Sequence, residues 1–599
     1  MLLELEVRRL SRVTVLLRII ALLFVLCAGT VFAENFGDLA VESESMYAEN
    51  PSHGYLDYRF VIVNRSGAQS HEVTLEFSAD GSFGGLSDIE SISRSVFVGP
   101  GAEVSVSIFQ PCLPFNGNSV KVSVDGSLQS KVLPLRSAMS YLRRNRSPLI
   151  LMDRSLDLDD VEDKLGIKDK KSYSRDIFVT ESTSQIGKWP VTWLSYTRYD
   201  GVIVVGRELT SAPPEVRGAL FRYVEAGGTL LTMGECELPL PWSAIQAEAK
   251  GEAKSEADVL RINAVGFGRI MVYPGAEPKD MSKAQWTDVR NSWDDGASFW
   301  GTEITEEEAN KRLPVTGGTA IPIRAMFLLI FAFTICIGPV NLWFLARIKR
   351  KIWVFWTIPL FSFVTCGVIF GYAAFAEGWN ITAKSEGFTV LDETSHRATS
   401  LAWFGFYSPL TYSEGFKFSL DSEVSLCFAT YRHNRESRGR RIDWGNTQQL
   451  GMGWLAARIP THFMVRRTET RRERISTTKL SDGGFGVVNG LGRRIKELWL
   501  CDFDGKIYRG EDLPPGKENR LTFQGQSHHS NGYEGLRNVY VRDWLEPILG
   551  KPKDPFSILS KGTYLADVDG APFLDNPIKD PTELSEHSIV YGIMKGSAE

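Results

Sequence analysis

The chain has 599 residues, 27 of them Pro, a length at which several domains are expected. A net charge of -5 argues against a dedicated nucleic-acid binder. Seven Cys spread over that length exclude a disulfide scaffold.

Arg8, Arg9, Arg12 and Arg18 precede a charge-free stretch from Ile19 to Ala33. The stretch is short for a membrane span and ends in Val31-Phe32-Ala33, with small residues where a signal peptidase reads. Residues 1–33 therefore read as a secretory signal cut before Glu34, the rival being an uncleaved anchor. Leu26 before Cys27 is too bulky for lipoprotein cleavage.

The next segment, 34–136, alternates. Tyr55 to Val63 reads as a strand closed by the turn Asn64-Arg65-Ser66-Gly67. Val73, Leu75 and Phe77 share one face of a second strand. Val96 to Val98 leads through Gly99-Pro100-Gly101 to Val104, Val106 and Ile108, and Val120, Val122 and Val124 close the set. Short alternating strands between Gly, Pro and Asn turns predict an immunoglobulin-like β-sandwich.

From 147 to 275 the pattern changes to α/β. Leu149 to Met152, Ile177 to Val179, Val202 to Val205, Thr229 to Met233 and Arg269 to Tyr273 are apolar strands. Pro213 and Pro214 open a helix whose Val216, Ala219, Leu220, Tyr223 and Val224 share a face, and Gly227-Gly228 caps it. Continuous apolar strands between helices predict a parallel sheet covered on both faces. Tyr199-Asp200-Gly201, Tyr223-Val224-Glu225-Ala226-Gly227-Gly228 and Thr229-Leu230-Leu231-Thr232-Met233-Gly234 resemble the class I glutamine amidotransferase-like fold over roughly Ser147 to Tyr273. Joined to the hairpin described below, the chain resembles uncharacterised bacterial envelope proteins that carry such a domain beside a transmembrane hairpin.

The resemblance implies a nucleophile elbow of form Gly-x-Cys-x-Gly. Here it reads Gly234-Glu235-Cys236-Glu237-Leu238, so Cys236 matches and Leu238 departs from the second Gly. A thiol nucleophile also needs a base, and no His falls between 147 and 275. The amidotransferase chemistry is therefore expected to be absent. What remains is a crevice at the carboxyl ends of the strands, where Asp153, Arg154, Glu181, Arg207, Glu208, Glu235 and Cys236 fall. They form either a polar or cationic ligand site or a solvated rim. No catalytic residue, metal site or cofactor is predicted.

Ala244 to Asp258 reads as an exposed helix in a neck that continues as a juxtamembrane segment, 276–321, where Trp286, Trp293 and Trp300 pack on the α/β domain or rest at headgroups. Two apolar segments follow, 322–346 and 352–376; their uncharged runs, Ala325 to Ala346 and Ile352 to Ala376, are each long enough to cross about 30 Å of hydrocarbon as a helix. Gly338-Pro339 should kink the first, and Asn341 is its strongly polar residue. The turn 347–351 carries Arg347, Lys349, Arg350 and Lys351 and is expected in the cytoplasm. Both flanks then share the periplasm of a bacterial inner membrane.

Residues 380–599 are rich in Phe, Trp, Tyr and turns and read as a β-rich domain, with a hairpin from Leu498 to Tyr508 turning at Asp504-Gly505. Asp502-x-Asp504-Gly505 and Asp567-x-Asp569-Gly570 lack the remaining calcium ligands and read as turns. Adjacent His528 and His529 point apart on a strand. Cys427 and Cys501 either pair or stay as separate thiols. Arg432 to Arg441 and Arg466 to Arg474 form a lipid-facing or solvated basic face. The fold class is a multidomain membrane protein with β-sandwich, α/β sheet, two transmembrane helices and a C-terminal β-rich domain. The role that fits is a non-catalytic scaffold or accessory protein of the envelope, with the lipid bilayer and other envelope proteins as partners. A ligand sensor using the crevice and a periplasmic hydrolase are the alternatives.

Overall fold

A computed structural model describes residues 32–595 apart from 45–52, 80–88, 114, 116, 118, 135–146, 168–174, 240–241, 243–247, 251–258, 301–305, 316–322, 378–380, 427–438, 481–483, 528–554 and 580–582. The signal reading lies outside the described residues except Phe32 and Ala33, which open the strand Phe32–Phe36. Cys427, His528, His529 and most of Arg432 to Arg441 also lie outside them.

The alternating N-terminal segment forms strands in two facing sheets. One has the order Phe32–Phe36, Leu39–Glu44, Tyr55–Asn64, Glu103–Pro111. Its Phe60, Ile62, Val106 and Ile108 pack with Val73, Leu75, Phe77, Val120 and Val122 of the other. Asn64 fixes the predicted turn: its side-chain amide donates to Gln69 O at 2.7 Å and Gly99 O at 2.9 Å, and its oxygen accepts from Ser66 N at 2.9 Å.

The second sheet is not completed locally. Its seven strands run Phe416–Phe418, Gln448–Leu450, Arg440–Trp444, Ile89–Val98, His71–Ser78, Ser119–Val124, Ser127–Pro134. The first three come from beyond the apolar hairpin. Arg440–Trp444 joins Ile89–Val98 in parallel, with Ile442 opposite Ile92. Trp444 is fully buried, meets Tyr55 and Phe109 edge-on at 5.7 and 5.1 Å, and donates its indole N–H to Phe109 O at 2.8 Å. Segments read as two domains thus share one core.

The α/β sheet has the order Phe178–Glu181, Leu149–Met152, Gly201–Val205, Thr229–Met233, Gly268–Tyr273, all parallel, then the antiparallel strands Leu260–Val265 and Glu248–Lys250. Numbered along the chain, the parallel part is 2-1-3-4-5, a doubly wound order. Alternate residues cover alternate faces. Leu149, Leu151, Val202 and Val204 pack under the helix Pro214–Glu225, while Ile150, Met152, Ile203 and Met233 pack under Val161, Trp286, Val289 and Trp293. Gly227, at φ 113°, ends the helix: Gly227 N bonds Val224 O and Gly228 N bonds Tyr223 O, both at 2.9 Å. Where 244–258 is described, Glu248–Lys250 is an edge strand rather than helix. Trp286 and Trp293 are core residues of this layer, not headgroup anchors.

The two apolar runs form helices Phe327–Arg347 and Lys351–Gly371 with mean hydropathy 2.1 and 1.9, of which 11% and 0% is buried. They are long and apolar enough to cross a membrane by length and composition, and so little of them is covered that neither is a core helix. Gly338-Pro339 falls in a π segment, Cys336–Val340, where the hydrogen-bond ladder opens. Asn341 is satisfied across the hairpin, donating to Thr357 Oγ1 at 2.9 Å.

Beyond the hairpin an eleven-stranded sheet runs from Thr382–Asp392, parallel to Glu583–Ile593, out to the predicted hairpin Ile495–Cys501 and Lys506–Leu513. Asp502 accepts from Asp504 N at 3.0 Å and Lys506 N at 2.8 Å, a local side-chain turn. Arg466, Arg467 and Arg471 are not a bare basic face; each is ion-paired, to Glu423, to Asp575 and Glu469, and to Glu469 and Glu473.

Glu393, between Thr382–Asp392 and Arg397–Tyr407, is 5% exposed and accepts from Ile475 N at 2.8 Å and Tyr564 OH at 3.1 Å. Burial pushes its carboxyl from 4.5 up to about 7. A raised carboxyl favours the protonated folded state, so its contribution is present below pH 4.5 and is lost as pH rises through about 7. Glu393→Gln keeps the acceptor and removes the titration. The variant should exceed wild type in unfolding free energy at pH 8 by on the order of 3 kcal/mol, with no gain at pH 4.5. Denaturant titrations at both pH values check this, and an equal difference at each refutes it.

Candidate functional site

Every residue placed by sequence at the carboxyl edge of the parallel sheet is there. Asp153 and Arg154 follow Leu149–Met152, Glu181 ends Phe178–Glu181, Arg207 and Glu208 lie in the helix Gly206–Ser211, and Glu235 and Cys236 follow Thr229–Met233. They do not converge. Arg154 donates to Thr183 O at 3.2 Å. Glu235 is held by Arg261, which reaches across from the antiparallel strand. A Cβ on Gly206 would lie 2.5 Å from the carbonyl oxygens of Gly234 and Glu235, so the loops after Gly201–Val205 and Thr229–Met233 close on each other.

Asp153 and Glu208 do face each other. They rise from the first and third strands, where the winding reverses and doubly wound sheets hold ligands. Asp153 is fully buried. Its Oδ1 accepts from Ser155 N at 3.2 Å, while Oδ2 is buried without a donor. Burial, then the Asp153 charge and a hydrogen bond shared with it, push the Glu208 carboxyl up; Ser155 and Arg207 oppose the rise. Two carboxyl groups in this position disfavour each other's charge.

Cys236 is not on an elbow. Gly234 takes φ 85°, but the chain after Cys236 forms no helix through Pro239. The thiol donates to Thr232 Oγ1 at 3.6 Å. Burial pushes it up, and Glu235 adds to the rise. The sequence of this segment offers no His, and the structure brings one in: His53, from the N-terminal sheets, bonds Asp200 at 2.8 Å. Asp200 also accepts from Leu149 N at 2.9 Å. Gly54 makes the approach possible, since at φ 72° a Cβ there would meet the Thr197 carbonyl carbon at 2.4 Å. Yet Asp200 precedes Gly201–Val205 and Cys236 lies beyond the far end of the sheet, roughly 16 Å of strand away. His53 locks two layers together and is no base for Cys236.

Cys236 should therefore react with iodoacetamide at pH 8 more slowly than a free cysteine, as followed by site-resolved mass spectrometry. A rate equal to or above the free thiol's would reveal activation that this geometry does not supply.

Among the described residues, no group of three or more His, Cys, Asp or Glu is placed to hold a metal ion. Ser155, Thr232 and Arg261 are site neighbours that strand patterning did not single out; Ser155 alone was legible, as the end of an Asp-x-Ser turn. Compared by sequence, the chain matches no protein-family model and no curated protein. Among solved structures, an exo-beta-1,4-mannosidase, Op5Man5 from Opitutaceae bacterium strain TAV5, aligns over 28% of this chain and 37% of its own at 13% identity. Its TM-score of 0.15 is too low to carry fold or function across.

Proposed function

We propose that this chain is a non-catalytic scaffold or accessory subunit of the bacterial envelope, anchored in the inner membrane by its hairpin with both large segments in the periplasm. The observation that carries this reading is the parallel pairing of Ile89–Val98 with Arg440–Trp444. Strands on either side of two apolar helices share a sheet, which supports a single compartment for both flanks. An even number of spans with a short basic turn allows that, and four cations in the turn orient it toward the cytoplasm. Glutamine amidotransferase-like ancestry for the α/β layer and an immunoglobulin-like origin for the N-terminal sheets fit this reading, with the catalytic thiol lacking its base.

A second reading, a sensor, is favoured by the fully buried Asp153 beside Glu208 at the reversal of the winding. The two readings separate by experiment. Reporter fusions at Lys349 and Glu599 should report inside and outside; a cytoplasmic Glu599 sinks the topology. A chain carrying Asp153→Asn, Glu208→Gln and Cys236→Ser together should keep its cellular role at unchanged abundance. Loss of the role with abundance intact would replace the scaffold by the sensor or an enzyme.

A further inference from the structure

We infer that the turn between the two apolar helices is a preorganised site for anionic lipid headgroups. The inference rests on the membrane reading above and adds a ligand class to it. The turn is built, not slack. Lys349 N bonds Ala346 O at 3.2 Å and Arg350 N bonds Leu345 O at 3.1 Å, the paired bonds that close a helix C-terminus around a left-handed residue. That residue is Lys349, at φ 57°. Glycine is the residue that takes this conformation without strain, and a Cβ there is disfavoured. The chain carries a cation where backbone chemistry favours Gly.

Its neighbours are arranged to match. Arg347 lies over the Trp343 ring at 5.4 Å and Arg350 over Trp353 at 5.3 Å. Indoles sit at headgroup depth, so each guanidinium is held at the level of the phosphates. Trp343, Trp353 and the nearby Trp356 are 62%, 52% and 79% exposed. No Asp or Glu occurs between Arg324 and Glu377. Among the described residues none of Arg347, Lys349, Arg350 and Lys351 has a carboxylate partner. Four cations, two fixed on indoles and one fixed by backbone strain, fit the phosphate diester of an anionic lipid.

The test uses the full chain in mild detergent with equal amounts of phosphatidylglycerol and phosphatidylcholine, counting retained lipids by native mass spectrometry. Wild type should retain phosphatidylglycerol in excess. Lys349→Gly relieves the backbone, so it should fold at least as well, yet its preference for phosphatidylglycerol should fall roughly five-fold. Arg347→Gln with Arg350→Gln, which leaves both lysines to hold orientation, should lower it roughly ten- to thirty-fold. Equal retention of the two lipids by wild type overturns the inference, as does a preference that survives both variants. Retention of neither lipid, with the protein washed from membranes at alkaline pH, overturns the membrane reading itself.

Discussion

Residues 32–315, exported without the rest of the chain, should fail to give a stable monomer. Strand Ile89–Val98 would lose its parallel partner Arg440–Trp444 and present an open edge. The core between the facing sheets would lose Trp444, Phe416, Phe418 and Leu450, all buried. Removing a single buried aromatic costs about 3–5 kcal/mol, and a whole domain is stable by only about 5–15 kcal/mol. Tyr55 would also be stranded. Its hydroxyl accepts from Val424 N and Gln448 Nε2, both at 2.7 Å, and donates to Val424 O at 3.2 Å. Co-export of residues 381–595 as a separate chain should rescue solubility, because the missing strands bind by pairing and not by covalent connection. Size-exclusion chromatography of the fragment with and without its complement checks both halves. A lone fragment that elutes as a monomer and melts cooperatively would show that the shared sheet is dispensable.

The sequence was most legible where structure is local. The helix Pro214–Glu225 has its apolar face, its prolines and its Gly227 cap within fifteen residues, and all three act as their spacing implies. The turns at Asn64 and Asp502 are legible for the same reason. Pairing between strands far apart is another matter. Alternation in Ile89–Val98 says that one face is buried, but not that its edge waits for Arg440–Trp444. The crevice was half legible: strand ends can be located from apolar runs, which places Asp153 and Glu208. That Arg261 would neutralise Glu235 and Gly206 would close the neighbouring gap depends on backbone approach, which no spacing encodes. His53 carries no signal at all, since only the docking of Gly54 on Thr197 brings it to Asp200.

Arg466→Met should be among the most damaging single changes in this protein, costing about 3–5 kcal/mol. Arg466 and Glu423 stand directly opposite each other on neighbouring strands, at 4% and 2% exposure. The guanidinium pairs with the Glu423 carboxylate and also donates to Ala226 O at 3.1 Å, at the C-terminus of the helix Pro214–Glu225. One cation therefore satisfies a buried acid, a helix-end carbonyl and the negative end of the helix dipole. Truncating it leaves Glu423 charged and dry, and removing the charge as well should recover most of the loss: Arg466→Met with Glu423→Gln should sit closer to wild type than Arg466→Met alone. The surface pair Arg441–Glu90, with side chains 57% and 45% exposed, is the control. Arg441→Met should cost far less than Arg466→Met, because water and salt already screen that pair. Denaturant unfolding of the four full-length proteins in detergent decides it. If Arg466→Met and Arg441→Met cost the same, the buried pair is not what fastens the eleven-stranded sheet to the α/β layer. The weight then shifts to the adjoining contact, where Arg397 and Thr468 meet Glu225 at 3.0 and 3.1 Å. That contact carries its own burden, since burial pushes the Glu225 carboxyl up despite Arg397. A joint built on two buried acids needs a cation beside each acid that stays charged, so the attachment of the eleven-stranded sheet to the α/β layer depends on Arg466 and Arg397 together.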